Sequence, residues 1–169
     1  STENWSRSKD EVLYLLRLFK RILTKELASI KLYGFRVRCV GLLSRFSREL
    51  QKIMQNAEKE TANLQGPTLA LALSYGGRAE ILDAANRALA SGEKRLDERS
   101  FRKYLWTRDL PDPDLIIRTS GEKRLSGFLP WQGVDSELFF TKTYWPALSR
   151  KEFFGILEEF GERERRMGK

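Results

Sequence analysis

Short apolar runs alternate along this chain with stretches of helical spacing, and that alternation constrains the fold more than any other feature. "FRVRCVG" (35–41) alternates and is rich in β-branched residues, as a strand is. "TLALALSYGG" (68–77) is apolar almost throughout and ends in Gly-Gly, the pattern of a strand buried on both faces. "LIIRT" (115–119) and "SELFF" (136–140) are two further strand-like runs. Between them apolar residues recur every three or four positions, which predicts helices. The first carries Val12, Leu15, Leu16, Phe19, Ile22 and Leu23; the next carries Phe46, Leu50, Ile53, Met54 and Ala57. A third follows from Arg78 through Ile81, Ala84, Ala85 and Leu89, and the last presents Phe153, Ile156, Leu157 and Phe160. Ser8 and Glu11 have capping-box spacing, repeated at Ser149 and Glu152. The first helix should run on to Tyr33-Gly34, where the glycine suits a C-terminal cap. A short helix near Glu98 to Leu105 precedes the proline-rich loop "DLPDPD". The expectation is an α/β fold with a mainly parallel central sheet flanked by helices. With 169 residues and no repeat or linker, it should form a single domain over 1–169.

Residue content narrows the chemistry. Histidine is absent, which excludes Ser-His and Cys-His pairs and any His-ligated zinc. The one cysteine, Cys39, excludes an internal disulfide and reads as a buried core thiol. Chemistry is left to carboxylates, arginines, hydroxyls, amides or an oxygen-bound metal. The net charge of +8 favours phosphorylated ligands, nucleic acid or anionic membranes without choosing among them. No apolar run is long enough for a membrane helix, and "STENWSRSKDE" has no signal-peptide core, so a soluble intracellular protein is expected.

Four stretches invite a functional reading. In "DLIIRTSGEKRLSGFLPWQG", Arg118 ends an apolar run, and Arg124 and Ser126 follow a Ser-Gly turn able to fold back. Ligands of open parallel sheets sit beyond the carboxyl ends of strands. Two guanidiniums and a hydroxyl there suit phosphate; on spacing alone they equally suit two surface arginines paired with Glu122. "LSYGGR" allows close backbone approach to a phosphate or is simply a turn. "STENWSR" crowds Ser1, Thr2, Glu3, Asn4, Trp5 and Arg7 ahead of the first helix, as binding loops do. Glu137 suits a hard cation or is an isolated strand glutamate. The terminal "GERERRMGK" reads as a solvated charged tail.

Six of these stretches together resemble the cis-prenyltransferase family: "STENWSRSKDEV", "LALSYGGRAEI", "PDLIIRTSGEKRLSGFLPWQ", "SELFF", "YWP" and "ERERRMG", in the family's order and along the whole chain. The resemblance implies joining isopentenyl diphosphate to an allylic diphosphate, such as farnesyl diphosphate, with cis geometry, for lipid-carrier synthesis. It implies that Arg118, Arg124, Leu125 and Ser126 hold isopentenyl diphosphate and that Glu137 helps place Mg²⁺. Ser1, Thr2, Glu3 and Trp5 would form a mobile loop over the substrates. Asn4 would sit near the carbon that loses a proton, and Arg7 would contact substrate phosphate. Arg166 and Gly168 look like the family's carboxyl-terminal element that reaches a partner subunit. The resemblance further implies a homodimer, drawing on Leu138, Phe139, Phe140 and Trp145. It implies a cytoplasmic location, with membrane contact through the lipid product; a nucleic-acid partner is not expected, because most aromatics fall on predicted core faces rather than among exposed Lys and Arg.

The chain also departs from the family pattern. The "MDGNGR"-type segment, with the main magnesium-binding aspartate and the allylic diphosphate cradle, is not in these 169 residues. The chain alone is therefore expected to turn over little substrate. Gly127 stands where asparagine is frequent, Asp135 where tyrosine is, and Ala147 where aspartate is. A second reading is a non-catalytic homologue that serves as partner subunit to a complete enzyme; Arg118, Arg124, Ser126 and Glu137 argue against it, since a scaffold needs none of them.

Overall fold

A computed structural model describes residues 1–163. The chain forms two compact units, the first Ser1–Thr107 and the second beginning at Arg108.

The first unit opens with a 3-10 helix, Thr2–Ser6, followed by α1 (Lys9–Lys25), α2 (Leu27–Leu32), β1 (Arg36–Val40), α3 (Arg48–Thr61), β2 (Thr68–Ala72), α4 (Gly77–Ala90) and α5 (Glu98–Arg102). The capping box of α1 is complete: Ser8 accepts from the Glu11 N–H, and the Glu11 carboxylate accepts from the Ser8 N–H. The helix breaks earlier than its apolar spacing predicts. The Thr24 hydroxyl donates to the Lys20 and Arg21 carbonyls at 2.9 and 3.2 Å, and such back-bonding bends helices. Gly34, at φ +76°, makes the expected turn after α2.

β1 and β2 pair in parallel, Arg36 opposite Thr68 and Val40 opposite Ala72. α3 packs on β1, and Leu23, Val37, Cys39, Phe46, Leu50, Met54 and Ala57 form one core. Thr61, fully buried, joins helix to strand. Its hydroxyl accepts from the Val37 N–H at 2.9 Å and donates to the Ala57 carbonyl at 2.8 Å. The Glu58 carboxylate likewise accepts from the Cys39 N–H at 2.8 Å. The outward donors of β1 are therefore satisfied by α3 side chains rather than by another strand.

β2 corrects an expectation. Its apolar run predicts burial on both faces, yet Leu69, Ala70 and Ala72 are exposed. The physical reason is that β2 has β1 as its one strand partner among the described residues, while α3 covers β1.

The second unit contains β3 (Leu115–Arg118), β4 (Glu137–Phe140) and α6 (Arg150–Glu162), with a 3-10 turn at Trp145–Ala147. β3 and β4 are parallel, Leu115 opposite Glu137 and Arg118 opposite Phe140. Ile116 and Phe139 are the buried strand residues. Gly133 lets the 129–133 turn close on the strand: a Cβ there would fall 2.8 Å from Ile116 Cδ1 and 2.9 Å from the Leu129 carbonyl oxygen. The second capping box is half made. Ser149 accepts from the Glu152 N–H, but the Glu152 carboxylate turns to the Thr141 hydroxyl at 2.5 Å. α6 buries no residue fully, and Phe153, Phe154 and Leu157 of its apolar face are exposed.

Candidate active site

The loop after β3 is built from left-handed backbone. Ser120, Gly121, Ser126, Gly127 and Leu129 all have φ between +48° and +80°. Non-glycine residues take that region at a cost of about 1–3 kcal/mol each, and such residues gather at ligand clamps. The loop is anchored where the strands end: Ser120 and Gly121 donate to the Thr143 and Thr141 carbonyls at 2.9 and 2.8 Å. It thereby folds back over Arg118. Arg118 Nη1 donates to Ser126 Oγ at 2.8 Å and also to the Arg124 carbonyl. The Arg124 guanidinium pairs with Glu122. Arg118 and Ser126 are thus in direct contact, and Arg124 meets Arg118 through its main chain. Ile116, Ile117, Thr119, Leu125 and Phe128 join Arg118 around a cleft of about 240 Å³. Gly127, at φ +75°, explains one departure from the family pattern: glycine and asparagine are the residues that most readily adopt this conformation, so the exchange preserves the turn.

Glu137 lies at the other end of the pair. It is opposite Leu115, three residues before Arg118 on β3, a separation of roughly 10 Å along the strand direction. Its carboxylate is engaged by Arg163, whose Nη1 donates to Oε2 at 2.6 Å. Arg163 also donates from Nη2 to Glu159 at 3.0 Å and lies 3.9 Å from the centre of the Phe139 ring. The hydrogen bond it donates to Glu137, then the one it donates to Glu159, raises the Arg163 pKa above its ordinary value. Sequence reasoning missed Arg163 because it stands in a charged run that looks solvated. Among the described residues no three His, Cys, Asp or Glu side chains gather as a metal centre. Arg166 and Gly168 lie outside the described residues.

In the first unit, Ser1 to Trp5 belong to the 3-10 helix and its cap. Ser1 Oγ accepts from the Glu3 N–H at 3.1 Å, and the Thr2 N–H donates to the Tyr75 carbonyl at 2.9 Å. Trp5 packs edge-on against Phe46, with ring centres 5.3 Å apart, beneath the Arg45 guanidinium. Its indole N–H donates to Ser74 Oγ at 2.8 Å. Ser74, at φ +47°, was not singled out from sequence; a serine closing an apolar run before Gly-Gly was the available signal. Arg7 is exposed. Ser1, Asn4, Trp5 and Ser74 border a cleft of about 270 Å³ whose walls include Leu15, Leu16, Phe19, Phe46 and Leu73. One end of this cleft is polar and the rest accepts an apolar chain.

The family model described as "Putative undecaprenyl diphosphate synthase" matches residues 1–168. An isoprenyl transferase of Thermotoga maritima is 44% identical over 172 residues, spanning 99% of this chain and 74% of the relative. An isoprenyl transferase of Neisseria meningitidis is 43% identical over 169 residues, spanning 100% of this chain and 68% of the relative. Among solved structures, a probable undecaprenyl diphosphate synthase from Campylobacter jejuni superposes with a TM-score of 0.89 at 37% identity, covering 99% of this chain and 79% of the other. Lavandulyl diphosphate synthase from Lavandula x intermedia, solved with dimethylallyl diphosphate, gives 0.92 at 30% identity, covering 99% and 75%. These matches define a prenyl-transferring α/β enzyme. The chain belongs to the cis-prenyltransferase, or undecaprenyl diphosphate synthase, family. Nothing in the comparisons favours a non-catalytic partner subunit. No helix among the described residues is long and apolar enough to cross a membrane.

Proposed function

We propose that the chain condenses isopentenyl diphosphate with an allylic diphosphate such as farnesyl diphosphate, extending a cis-prenyl diphosphate used as a lipid carrier. The observation that carries this reading is the Arg118–Ser126 contact at 2.8 Å, at a strand's carboxyl end beside an apolar-walled cleft. Arg118 and Arg124 supply charge-assisted bonds to the diphosphate oxygens, and the Ser126 hydroxyl adds one more. Leu125 and Phe128 bound the space for the five-carbon group. The Leu16, Phe19 and Phe46 walls of the other cleft suit a prenyl chain. Asn4, at that cleft's polar end, places an amide near the carbon that loses a proton, and the exposed Arg7 contacts substrate phosphate.

The reaction breaks the bond between the allylic carbon and its diphosphate, and the homoallylic double bond of isopentenyl diphosphate attacks that carbon. The attack leaves a tertiary cation on the isopentenyl unit; loss of a proton from the neighbouring carbon makes the new double bond, and histidine is not needed, since such a cation is acidic enough for a weak base. Prenyltransferases of this kind are generally metal-dependent, and Mg²⁺ is the ion proposed here. Glu137 offers one carboxylate, which suits an ion that takes its remaining ligands from diphosphate and water. When bound, Mg²⁺ neutralises charge on the departing diphosphate.

A homodimer is part of this proposal. Tyr144 and Trp145 are 69% and 73% exposed, beside the exposed apolar face of α6, while Phe139 is committed to its own core. The test of function is incorporation of radiolabelled isopentenyl diphosphate into solvent-extractable product with farnesyl diphosphate and Mg²⁺. With the chain joined to a segment carrying the "MDGNGR"-type motif, label incorporation that Arg118→Gln lowers at least roughly tenfold at limiting isopentenyl diphosphate is expected. Incorporation that is indifferent to Arg118→Gln and Ser126→Ala would overturn the assignment of the clamp.

A further inference from the structure

The Arg163 guanidinium is held on three sides. Nη1 is on Glu137 Oε2 at 2.6 Å, Nη2 on Glu159 Oε1 at 3.0 Å, and the Phe139 ring lies beneath at 3.9 Å from its centre. Glu137 and Phe139 are two residues apart on β4 and share a face. Glu159 stands one helical turn before Arg163. An arginine side chain carries large rotamer entropy; three simultaneous partners are what hold it in one place. The consequence falls on Glu137. A divalent cation approaching that carboxylate meets a fixed positive charge one hydrogen bond away. A diphosphate carries enough negative charge to reverse the balance. Glu159 and Phe139 then retain the guanidinium when Glu137 turns to the cation.

We propose that Arg163 keeps divalent cations off Glu137 until a diphosphate delivers them, so that ion and diphosphate bind as one unit. This rests on Glu137 being a metal ligand, as read above. Arg163 is a positioning residue in this scheme: it acts through Glu137 and touches no reacting atom.

The test measures Mn²⁺ binding to the whole chain by the loss of the free-ion electron paramagnetic resonance signal, with and without inorganic pyrophosphate. The parent chain is expected to bind Mn²⁺ weakly alone and more tightly with pyrophosphate. Arg163→Gln removes a unit charge about 5 Å from the ion, so binding of Mn²⁺ alone should tighten roughly tenfold. The pyrophosphate-dependent gain should shrink to match. Arg163→Lys restores the charge and should bind free Mn²⁺ as weakly as the parent. Glu137→Gln placed in the Arg163→Gln background should cancel the tightening. If Arg163→Gln binds Mn²⁺ no better, while Glu137→Gln alone weakens the Mn²⁺-pyrophosphate complex, the proposal fails and the ligand role of Glu137 stands. Tightening that survives the double substitution also overturns the proposal, because the ion is then on another group. If Glu137→Gln leaves Mn²⁺-pyrophosphate binding intact, the ligand reading itself fails, and the proposal with it.

Discussion

The Arg118–Ser126 contact allows a quantitative test of the clamp within one unit of the chain. A hydrogen bond to a charged group contributes about 1.5–3 kcal/mol. Arg118 is partly solvated, so the lower half of that range applies. Arg118→Gln should therefore weaken isopentenyl diphosphate binding roughly tenfold to fortyfold, at 1.36 kcal/mol per decade. Ser126→Ala removes a neutral hydroxyl worth about 0.5–1.5 kcal/mol, a loss of severalfold. The two are not independent, because Nη1 of Arg118 donates to Ser126 Oγ at 2.8 Å. Residues in contact couple by about 0.5–3 kcal/mol, so the double substitution should lose less than the sum of the singles. Isothermal titration with isopentenyl diphosphate supplies all four affinities. Ser126→Gly is a second probe, since it deletes the hydroxyl while tolerating φ +49°. Single losses that simply add in the double variant, or single variants that both bind like the parent, would refute the idea that these groups act as one clamp.

Three further outcomes follow from the fold. Thr61→Val strips the acceptor from the buried Val37 N–H and should lower stability by about 1–3 kcal/mol in urea unfolding, whereas Thr61→Ser should lose less. Gly41→Ala should be more damaging than the ~1–3 kcal/mol of backbone strain alone, because its Cβ would lie 2.0 Å from the Leu73 carbonyl oxygen at φ +129°; a parent-like melting temperature would contradict the geometry. Burial, then Glu58, pushes the Cys39 thiol from its ordinary 9.0 up to about 12. A raised folded value means that its contribution is whole below pH 9 and is lost as pH climbs toward 12. Unfolding free energy should fall over that window, and Cys39→Ala should flatten the fall.

Local rules served the sequence reading where one residue decides the outcome. Ser8 and Glu11 cap α1 because their spacing permits both reciprocal bonds and the Glu11 carboxylate stays on Ser8, and Cys39 is buried because β1 carries α3. Where tertiary partners choose, the pattern was insufficient. Glu152 has the spacing to complete a box with Ser149 but bonds Thr141. The apolar run of β2 says that its faces are fit for burial, and only the arrangement of neighbours says whether they are buried. In the candidate site, the turn residues around Arg118 were legible as a fold-back. The engagement of Glu137 by Arg163 was not, because a charged run carries no signal of which charge finds a partner 26 residues away.

The side chains of Thr61 and Glu58 give the first sheet a direction. With the Val37 and Cys39 N–H groups occupied by α3, an incoming strand finds no ready donors along β1. β2 is where β1's pairing ends among the described residues. Any strand that enlarges this sheet, from the same polypeptide or another, must therefore add beside β2. The helix that supplies the core also acts as a stop, so the sheet extends from one side only, and the exposed apolar side chains of β2 mark that side.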